Sequence, residues 1–263
     1  MDLENTLEMH MKIEYYSLTD QGTREYQQDA AYGEVQENLG MAVLCDGMGG
    51  LNGGEMASDL GVKYFARDLK DAWPVRNIPA FLQQEAHRLD QMIAGLRDKE
   101  GRPLRAGTTI VSAVLVENQA FWLSVGDSRI YLLRNGQMRC LTAAHNYKTM
   151  LQEKLEAGLI DMDYYNGEIS QGEALTSYLG MGNISLIDGN AKPLELEEND
   201  ILLLCSDGLY KTLTDEQIQA LIQESGSNIR IAGQRLLETA RRFGRRGQDN
   251  TTLVLLKYGA NKS

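Results

Sequence analysis

The apolar and polar residues of this chain alternate in short stretches, which is typical of half-buried β-strands. Four such stretches follow one another closely between residues 109 and 141, and Asn118-Gln119 and Asn135-Gly136 separate two pairs of them as hairpin turns. Consecutive hairpins predict antiparallel sheet. The predicted strands are 12–18, 41–45, 109–116, 120–125, 129–134, 138–141, 184–188, 201–205 and 251–258.

Other stretches carry apolar residues at helical spacing, with one apolar stripe each. A helix beginning after Thr214 has Gln217 three residues later, which is a capping-box pattern. The predicted helices are 55–69, 78–96, 147–157, the one after Thr214, and 228–243, and the polar residues up to 177 are predicted to be irregular. Helices inserted in groups between runs of strands favour the α+β class, with helices packed on antiparallel sheets.

Length and composition fit one large folded domain. The chain has 263 residues, 43% of them apolar, with no Pro/Gly/Ser-rich linker and no internal repeat, so we predict a single domain over residues 1–263. The formal net charge of −11 argues against general nucleic-acid binding, which needs an excess of basic residues. The one basic cluster, Arg241, Arg242, Arg245 and Arg246, is interpreted as a solvated helix end.

No apolar stretch approaches the roughly 20 residues that cross a bilayer, so no membrane partner is expected. The acidic N-terminal residues do not resemble a signal peptide. Three widely spaced cysteines do not indicate a disulfide framework, which favours a cytoplasmic location.

Several kinds of catalytic site are excluded by the residues present. The chain has only three histidines, no HExxH motif and no paired cysteines with zinc spacing. No cysteine is followed six residues later by arginine, and neither a P-loop nor a GxSxG motif occurs. Aspartates therefore remain as the candidate functional groups.

Five aspartates stand where predicted strands or turns end. An unpaired carboxylate at the end of a buried strand costs several kcal/mol, so a cluster of them needs positive charge. Ligation by oxygen alone suits Mg²⁺ or Mn²⁺. Taken singly, each Asp is more simply explained as a turn residue, but the group predicts a metal cleft. These residues are Asp29, Asp46, Asp127, Asp207 and Asp249.

The glycine-rich loop from Asp46 to Gly54 does not fit a dinucleotide-binding turn. From Gly47, the third glycine that the GxGxxG template requires is replaced by Asn52, and Asp46 would repel a pyrophosphate. In a metal cleft, Gly47 would let its own carbonyl approach the ion. Cys45 and Cys205 are interpreted as small buried residues, and His145 as a loop histidine.

Six segments, in order, resemble the metal-dependent protein phosphatases of the PP2C type, in particular their bacterial branch. The resemblance extends from about residue 15 to residue 258. The segments are Gly22-x-Arg24-x-x-x-Gln28-Asp29, Val43 to Gly50, Gly107-Thr108-Thr109, Val125-Gly126-Asp127-Ser128-Arg129, Cys205-Ser206-Asp207-Gly208-Leu209 and Asp249-Asn250.

The resemblance implies a four-layer α-β-β-α sandwich with two central antiparallel sheets and metal ions at one edge. It implies hydrolysis of phosphoserine and phosphothreonine monoesters in phosphorylated proteins, by a water that bridges two Mn²⁺ or Mg²⁺ ions. A cognate Ser/Thr protein kinase is the implied partner.

The resemblance also implies roles for individual residues. Asp46 would bridge two ions, Asp207 and Asp249 would ligate one, and the Gly47 carbonyl and, through water, Asp29 would serve the other. Asp127 with Asp207 would hold a weaker third ion. Arg24 would clamp the substrate phosphate with its guanidinium fork. We interpret Asn250 as orienting Asp249.

Some positions depart from the family pattern. Met48 stands where many eukaryotic members carry the histidine that protonates the leaving group, and Lys211 stands where some carry another metal-binding Asp. Gln28 replaces a frequent Glu, and Ala144-His145-Asn146 replaces Asp-His-Ser. The region about 145–178, a mobile flap in relatives, departs most and is expected to govern substrate choice.

These departures leave two alternatives beside a protein phosphatase. One is a catalytically weak or silent relative that binds phosphoproteins. The other is an enzyme that acts on small phosphate esters.

Overall fold

The computed structural model describes residues 11–36, 39–50, 53–226, 228–244 and 247–260. In these residues, two antiparallel sheets pack face to face, and helices cover the outer face of each sheet. The layers run helix, sheet, sheet, helix, which confirms the α-β-β-α sandwich and the α+β class.

One sheet has five strands and joins sequence-distant parts of the chain. Its strand order is β1-β12-β11-β7-β8, and β1 pairs with β12 along its whole length, from the pair Met11 and Ala260 to the pair Asp20 and Thr251. The last strand therefore lies inside the sheet. The strands are β1 (Met11–Asp20), β7 (Arg129–Arg134), β8 (Gln137–Cys140), β11 (Ile201–Cys205) and β12 (Thr251–Ala260).

The other sheet has seven strands, and β3 is its longest. Along the path β10-β6-β5-β3-β2 all neighbours are antiparallel, while β4 pairs with the end of β3 and β9 pairs with β6. The strands are β2 (Asp29–Gln36), β3 (Leu39–Gly49), β4 (Ala106–Thr108), β5 (Ile110–Val116), β6 (Gln119–Val125), β9 (Asp188–Gly189) and β10 (Leu194–Glu195).

Each sheet is apolar on both faces, and β11 illustrates why. Leu202 and Leu204 point into the core between the sheets, while Ile201, Leu203 and Cys205 point toward the helices on the other face. All five side chains are buried. A strand covered on both faces reads as a continuous apolar run, because successive side chains point to opposite faces.

Helices α1 and α2 pack on the seven-stranded sheet, α5 and α7 pack on the five-stranded sheet, and α6 packs on α7, whereas α3 and α4 contact each other in the segment between β8 and β9. The helix ends carry local signals. Asn77 caps α2 through Ala80 N–H, and Thr214 and Gln217 form the predicted capping box of α6. The helices are α1 (Gly53–Ala72), α2 (Ile78–Ala94), α3 (Tyr147–Glu156), α4 (Met162–Glu168), α5 (Asp207–Tyr210), α6 (Asp215–Glu224) and α7 (Ile229–Gly244).

The structure differs from the prediction at several places, and the short elements β4, β10 and α5 were not predicted. The first hairpin turn is at Glu117 and Asn118, one residue earlier than predicted, and 184–188 is a strand only from Asp188. The region predicted to be irregular contains α4 and a 3₁₀ turn, Ile169–Gln171; Asp161 caps α4 through Tyr164 N–H. Strand β2 was missed because its half-buried residues give weak periodicity.

No helix in the part of the chain that the structure describes is long and apolar enough to cross a bilayer. The cysteines are unpaired: Cys45 and Cys205 are buried, and Cys140 is exposed. Arg241, in the last turn of α7, pairs with Asp20, whereas Arg245 and Arg246 of the basic cluster lie outside the described residues.

Candidate metal centre

The candidate acids gather where strand ends of both sheets meet. Asp29, the first residue of β2, lies directly opposite Asp46 near the end of β3. Asp127 follows β6, Asp207 follows β11 as the first residue of α5, and Asp249 precedes β12. Asp46, Asp127 and Asp207 line one pocket together with Met48 and Lys211, among others.

The backbone around Asp46 is held firmly by neighbouring strands. The Asp46 carbonyl accepts from Thr109 N–H (2.9 Å) and Thr108 Oγ1 (2.9 Å), and the Asp46 N–H donates to Thr109 Oγ1 (3.0 Å). Thr109 Oγ1 in turn lies 2.8 Å from the Ser128 hydroxyl. Since the backbone groups have their partners, the Asp46 carboxylate is presented to the pocket in a fixed position.

Gly47 is a position that no larger residue fits. A Cβ atom there would lie 2.2 Å from the Gly54 carbonyl oxygen and 2.6 Å from that of Gln28. The Gly47 N–H donates to the same Gln28 carbonyl at 2.9 Å. The glycine therefore lets the end of β3 pack directly against α1 and the loop before β2.

The buried Asp29 and the half-buried Asp46 form a pair of neighbouring carboxyl groups. The Asp29 Oδ2 atom accepts from Ser206 Oγ at 2.7 Å, but its Oδ1 atom is buried with no hydrogen-bond partner. Burial, with some help from Asp207 and Asp249, raises the pKa of Asp29 to about 7. Burial and then the nearby charge of Asp29 raise the pKa of Asp46 well above its usual range. The pair therefore favours either protons or added cations.

At one end of the acid cluster, Lys211 contacts two of the acids. Its Nζ atom lies 2.8 Å from Asp207 Oδ2 and 3.7 Å from Asp127 Oδ2. Asp127 Oδ2 also accepts from the Tyr210 hydroxyl at 3.1 Å. Burial, followed by the charge of Asp207, raises the pKa of Asp127.

At the other end, Arg24 pairs with Asp249. The Arg24 Nη2 atom lies 2.5 Å from Asp249 Oδ2, and 59% of the arginine side chain is exposed. Arg24 belongs to the loop between β1 and β2, and the Thr23 N–H fastens that loop to the Gln248 carbonyl at 2.9 Å. The guanidinium therefore stands at the open rim of the cleft.

Asn250 fastens the loop that carries Arg24. Its Oδ1 atom accepts from Gln28 N–H (2.8 Å), and its Nδ2 atom donates to the carbonyls of Gln21 (2.9 Å) and Tyr26 (3.0 Å). The contact with the Asp249 side chain is made by the Asn250 backbone N–H, 2.8 Å from Oδ1. The side chain thus positions the loop, and the backbone positions Asp249.

The donor atoms fit hard divalent cations. In the described ranges, no group of three or more Asp, Glu, His or Cys side chains is already arranged closely enough to hold a metal ion. The outer acids instead turn toward the protein's own cations, Asp249 to Arg24 and Asp207 to Lys211. The inner pair keeps a buried carboxylate oxygen without a partner, and an all-oxygen set of this kind suits Mn²⁺ or Mg²⁺.

The arrangement matches a known family over most of the chain. The family model described as protein phosphatase 2C matches residues 21–239. The chain belongs to the protein phosphatase 2C family. A relative in this family, the serine/threonine phosphatase stp of Listeria welshimeri, is 29% identical over 231 residues, which are 85% of this chain and 86% of the relative.

Solved structures of the protein phosphatase 2C family share this fold. The serine/threonine phosphatase PstP/Ppp of Mycobacterium tuberculosis superposes with a TM-score of 0.76 at 29% identity, covering 93% of this chain and 98% of that one. The catalytic domain of PstP in complex with two manganese ions gives a TM-score of 0.75 at 28% identity, covering 95% and 99%.

Some residues of this protein phosphatase 2C site escaped the sequence analysis. Ser206, Thr109 and Tyr210 each bond a candidate acid or its backbone, and Glu173 lines the same pocket. Both Ser206 and Thr109 stand inside the recognised segments, and Ser206 directly precedes Asp207, so the sequence held a signal for them. It held no signal for Glu173. His145 is buried, and its Nδ1 atom accepts from Gly126 N–H at 3.2 Å, so it supports the turn before Asp127.

Proposed function

We propose that this chain hydrolyses phosphoserine and phosphothreonine monoesters of proteins with the help of bound Mn²⁺ or Mg²⁺. The observation that carries the proposal is the neighbouring pair of Asp29 and Asp46. The buried, unpartnered oxygen of Asp29 and the raised pKa values of both groups call for added positive charge at the edge where both sheets end. Family membership supports the reaction class, and PstP, a family member of similar fold, binds two manganese ions.

The acids divide naturally between two ions. Asp46 lies opposite Asp29 and lines the pocket with Asp127 and Asp207, so it would be the carboxylate that both ions share. Asp207 and Asp249 are assigned to one ion, and the Gly47 carbonyl and, through water, Asp29 to the other. When bound, such a pair of ions activates water for attack on phosphorus and stabilises the charge that develops on the phosphoryl group.

Arg24 is assigned to the substrate phosphate. Among the residues that the structure describes, its acidic partner is Asp249, at the rim, and most of the side chain is exposed. If Asp249 served as a metal ligand, the guanidinium fork of Arg24 would be free to bind two phosphate oxygens at once, which a lysine does less well. Arg24 therefore orients the phosphoryl group for in-line attack.

The leaving alkoxide has no protein acid at the position of Met48. That side chain lines the pocket and carries no exchangeable proton. His145 is buried, bonded to the Gly126 N–H, and not a pocket-lining residue. We therefore assign the proton of the leaving group to solvent water that enters the open pocket.

The substrate and its setting follow from the reaction. A Ser/Thr protein kinase of the same cell would supply the phosphorylated proteins. The free thiols of Cys45, Cys140 and Cys205 favour a reducing compartment, so we place the enzyme in the cytoplasm.

The test measures phosphate release from phosphoserine, phosphothreonine and phosphotyrosine peptides, and from small phosphate esters, with added Mn²⁺. We expect activity on the first two peptides, and a loss of about 10³-fold or more in Asp46→Asn and Asp207→Asn, because each variant lacks a carboxylate that would hold the ions that activate the water. The matched control is Asp71→Asn, an exposed residue of α1, which should retain full activity.

Wild-type activity that stays at the level of Asp46→Asn would overturn the proposal. If phosphopeptides still bound, the chain would be a silent phosphoprotein-binding module. A preference for small esters over both peptides would instead assign a metabolite phosphatase.

A further inference from the structure

Lys211 lies among three carboxylates that come from three parts of the chain. Its Nζ atom is 2.8 Å from Asp207 Oδ2, 2.7 Å from Glu173 Oε2 and 3.7 Å from Asp127 Oδ2. Asp207 begins α5, Asp127 follows β6, and Glu173 belongs to residues 145–178, which we call the flap segment. We infer that Lys211 is a built-in cation that occupies this carboxylate triad in place of a metal ion and fastens the flap segment to the acid cluster.

The short helix α5 determines where the ammonium lies. The Lys211 N–H donates to the Asp207 carbonyl at 2.9 Å, so the two side chains stand one helical turn apart on the same face. Leu209 and Leu213 are fully buried and anchor this turn on the core. The lysine therefore reaches Asp207 through a rigid turn, with 40% of its side chain exposed.

Carboxylates surround most of the ammonium group. Of its three N–H donors, two have a carboxylate oxygen within hydrogen-bond distance, at Asp207 and Glu173, and Asp127 lies close enough for charge attraction. A divalent ion between Asp127 and Asp207 would have to displace the ammonium or sit against its positive charge, and both are unfavourable at this distance. Burial lowers the pKa of Lys211, but the charges of Asp207 and Asp127 and the hydrogen bonds to Asp207 and Glu173 together raise it above its usual value.

Glu173 connects this cation to the flap segment. Backbone bonds pair residues on either side of it with the start of the segment, from Tyr147 N–H to the Ala174 carbonyl and from Lys148 N–H to that of Gly172. The Glu173 side chain is 65% exposed and lies against Lys211, and Leu175 and Tyr178 line the same pocket. The ion pair therefore draws one wall of the pocket toward the acids.

The experiment counts bound Mn²⁺ by native mass spectrometry and calorimetry in the full chain. Lys211→Met and Lys211→Asp free the triad, so each variant should bind one more Mn²⁺ than the wild type. The control is Lys99→Met, an exposed lysine outside the site, which should match the wild type. The inference rests on the proposed function only for the catalytic pair of ions. The difference in Mn²⁺ count between variant and wild type does not depend on how many ions the catalytic site binds.

Hydrogen exchange of the flap segment tests the second half of the inference without any metal. Lys211→Met and Glu173→Gln each remove the ion pair, so amides from 162 to 176 should exchange several-fold faster than in the wild type, with α1 and α7 unchanged. Lys211 is a positioning residue. If its role were merely structural, its substitution would not change the number of bound Mn²⁺ ions.

Two results would overturn the inference. One is an Mn²⁺ count that is the same in both Lys211 variants and in the wild type. The other is flap-segment exchange that is unchanged in Glu173→Gln. A wild type that binds no Mn²⁺ would count against the catalytic pair alone, and the extra ion in the variants would still decide the role of Lys211.

Discussion

The two ends of the acid cluster each hold a cation, but in different ways. Arg24 contacts one acid from a surface loop, and 59% of its side chain is exposed. Lys211 contacts three acids from a helical turn anchored by buried leucines, and 40% of its side chain is exposed. An ion pair at an open rim is weak and easily exchanged, whereas several partners around one charge resist its release.

This difference indicates that the two cations have different roles in the same cleft. At the Arg24 end, the charge must be free to leave Asp249 and meet a phosphate. At the Lys211 end, the charge stays in place and connects the acids to the flap segment. The two cationic residues should therefore respond differently to substitution, although both lie beside candidate metal ligands.

The largest effect is expected from Arg24→Ala. Loss of charge-assisted hydrogen bonds to the phosphate should raise KM by about 10- to 150-fold and weaken inhibition by inorganic phosphate. Arg24→Lys should recover part of the loss, because it keeps the charge without the fork. Steady-state kinetics on a phosphothreonine peptide measure both effects.

The control for Arg24 is Arg139→Ala, an exposed arginine of β8 away from the acids. Its KM should equal that of the wild type. A KM for Arg24→Ala as low as that of the control would remove Arg24 from the phosphate site.

A smaller effect is expected from Asn250→Ala, which loosens the Arg24 loop without touching the guanidinium. The three hydrogen bonds to Gln28, Gln21 and Tyr26 are lost, so the free energy of unfolding should fall by about 1–3 kcal/mol and KM should rise. Urea unfolding and peptide kinetics measure the two quantities.

Asn190→Ala is the matched control for Asn250→Ala. The Asn190 side chain also makes three hydrogen bonds, to Trp122 N–H and to the carbonyls of Ala120 and Lys192, at the far edge of the sheet. It should lose similar stability with no change in KM. Equal KM changes in both variants would mean that general loosening, rather than the Arg24 loop, affects binding.

The smallest effect concerns the carboxylates between the two cations. Because burial raises the pKa of Asp29 to about 7, the metal-free fold keeps a proton that the unfolded chain releases near pH 4. The stability from this group is therefore full below about pH 4 and declines as the pH rises toward 7. Mn²⁺ must displace the proton, so its affinity should rise with pH, by at most about tenfold per unit per proton, and level off near pH 7.

Calorimetry in two buffers of different ionisation enthalpy measures the protons released on Mn²⁺ binding. At pH 6 the wild type should release more protons than Asp29→Asn. Equal release would show that Asp29 is already ionised in the metal-free protein, contrary to its buried, unpartnered oxygen.

The layered fold and the acids could be predicted because their signals are local. A strand such as β11 shows its burial on both faces as an unbroken apolar run, and the acids follow such strands directly. The turn at Asn135 and Gly136 was correct because both residues adopt positive φ, which that dipeptide favours. The roles given to the individual acids stay predictions.

The partners of the acids could not be predicted, because they depend on long-range packing. Lys211 was recognised only as a departure from the family pattern, and nothing in the sequence pointed to Glu173, 38 residues away, as its partner. Helix α4 was missed because none of its residues is buried, so it leaves no apolar stripe. The position of Asn250 between two loops likewise depends on the sheet that joins β1 to β12.

That pairing of β1 with β12 has a consequence for how the protein is made. The partner of Met11 is Ala260, and Arg24 meets Asp249 across 225 positions of sequence. A nascent chain that has left the ribosome only as far as α7 has neither an inner neighbour for β1 nor the acid that Arg24 contacts. Synthesis must therefore reach β12 before the cleft can exist, which delays any catalysis until that strand has left the ribosome.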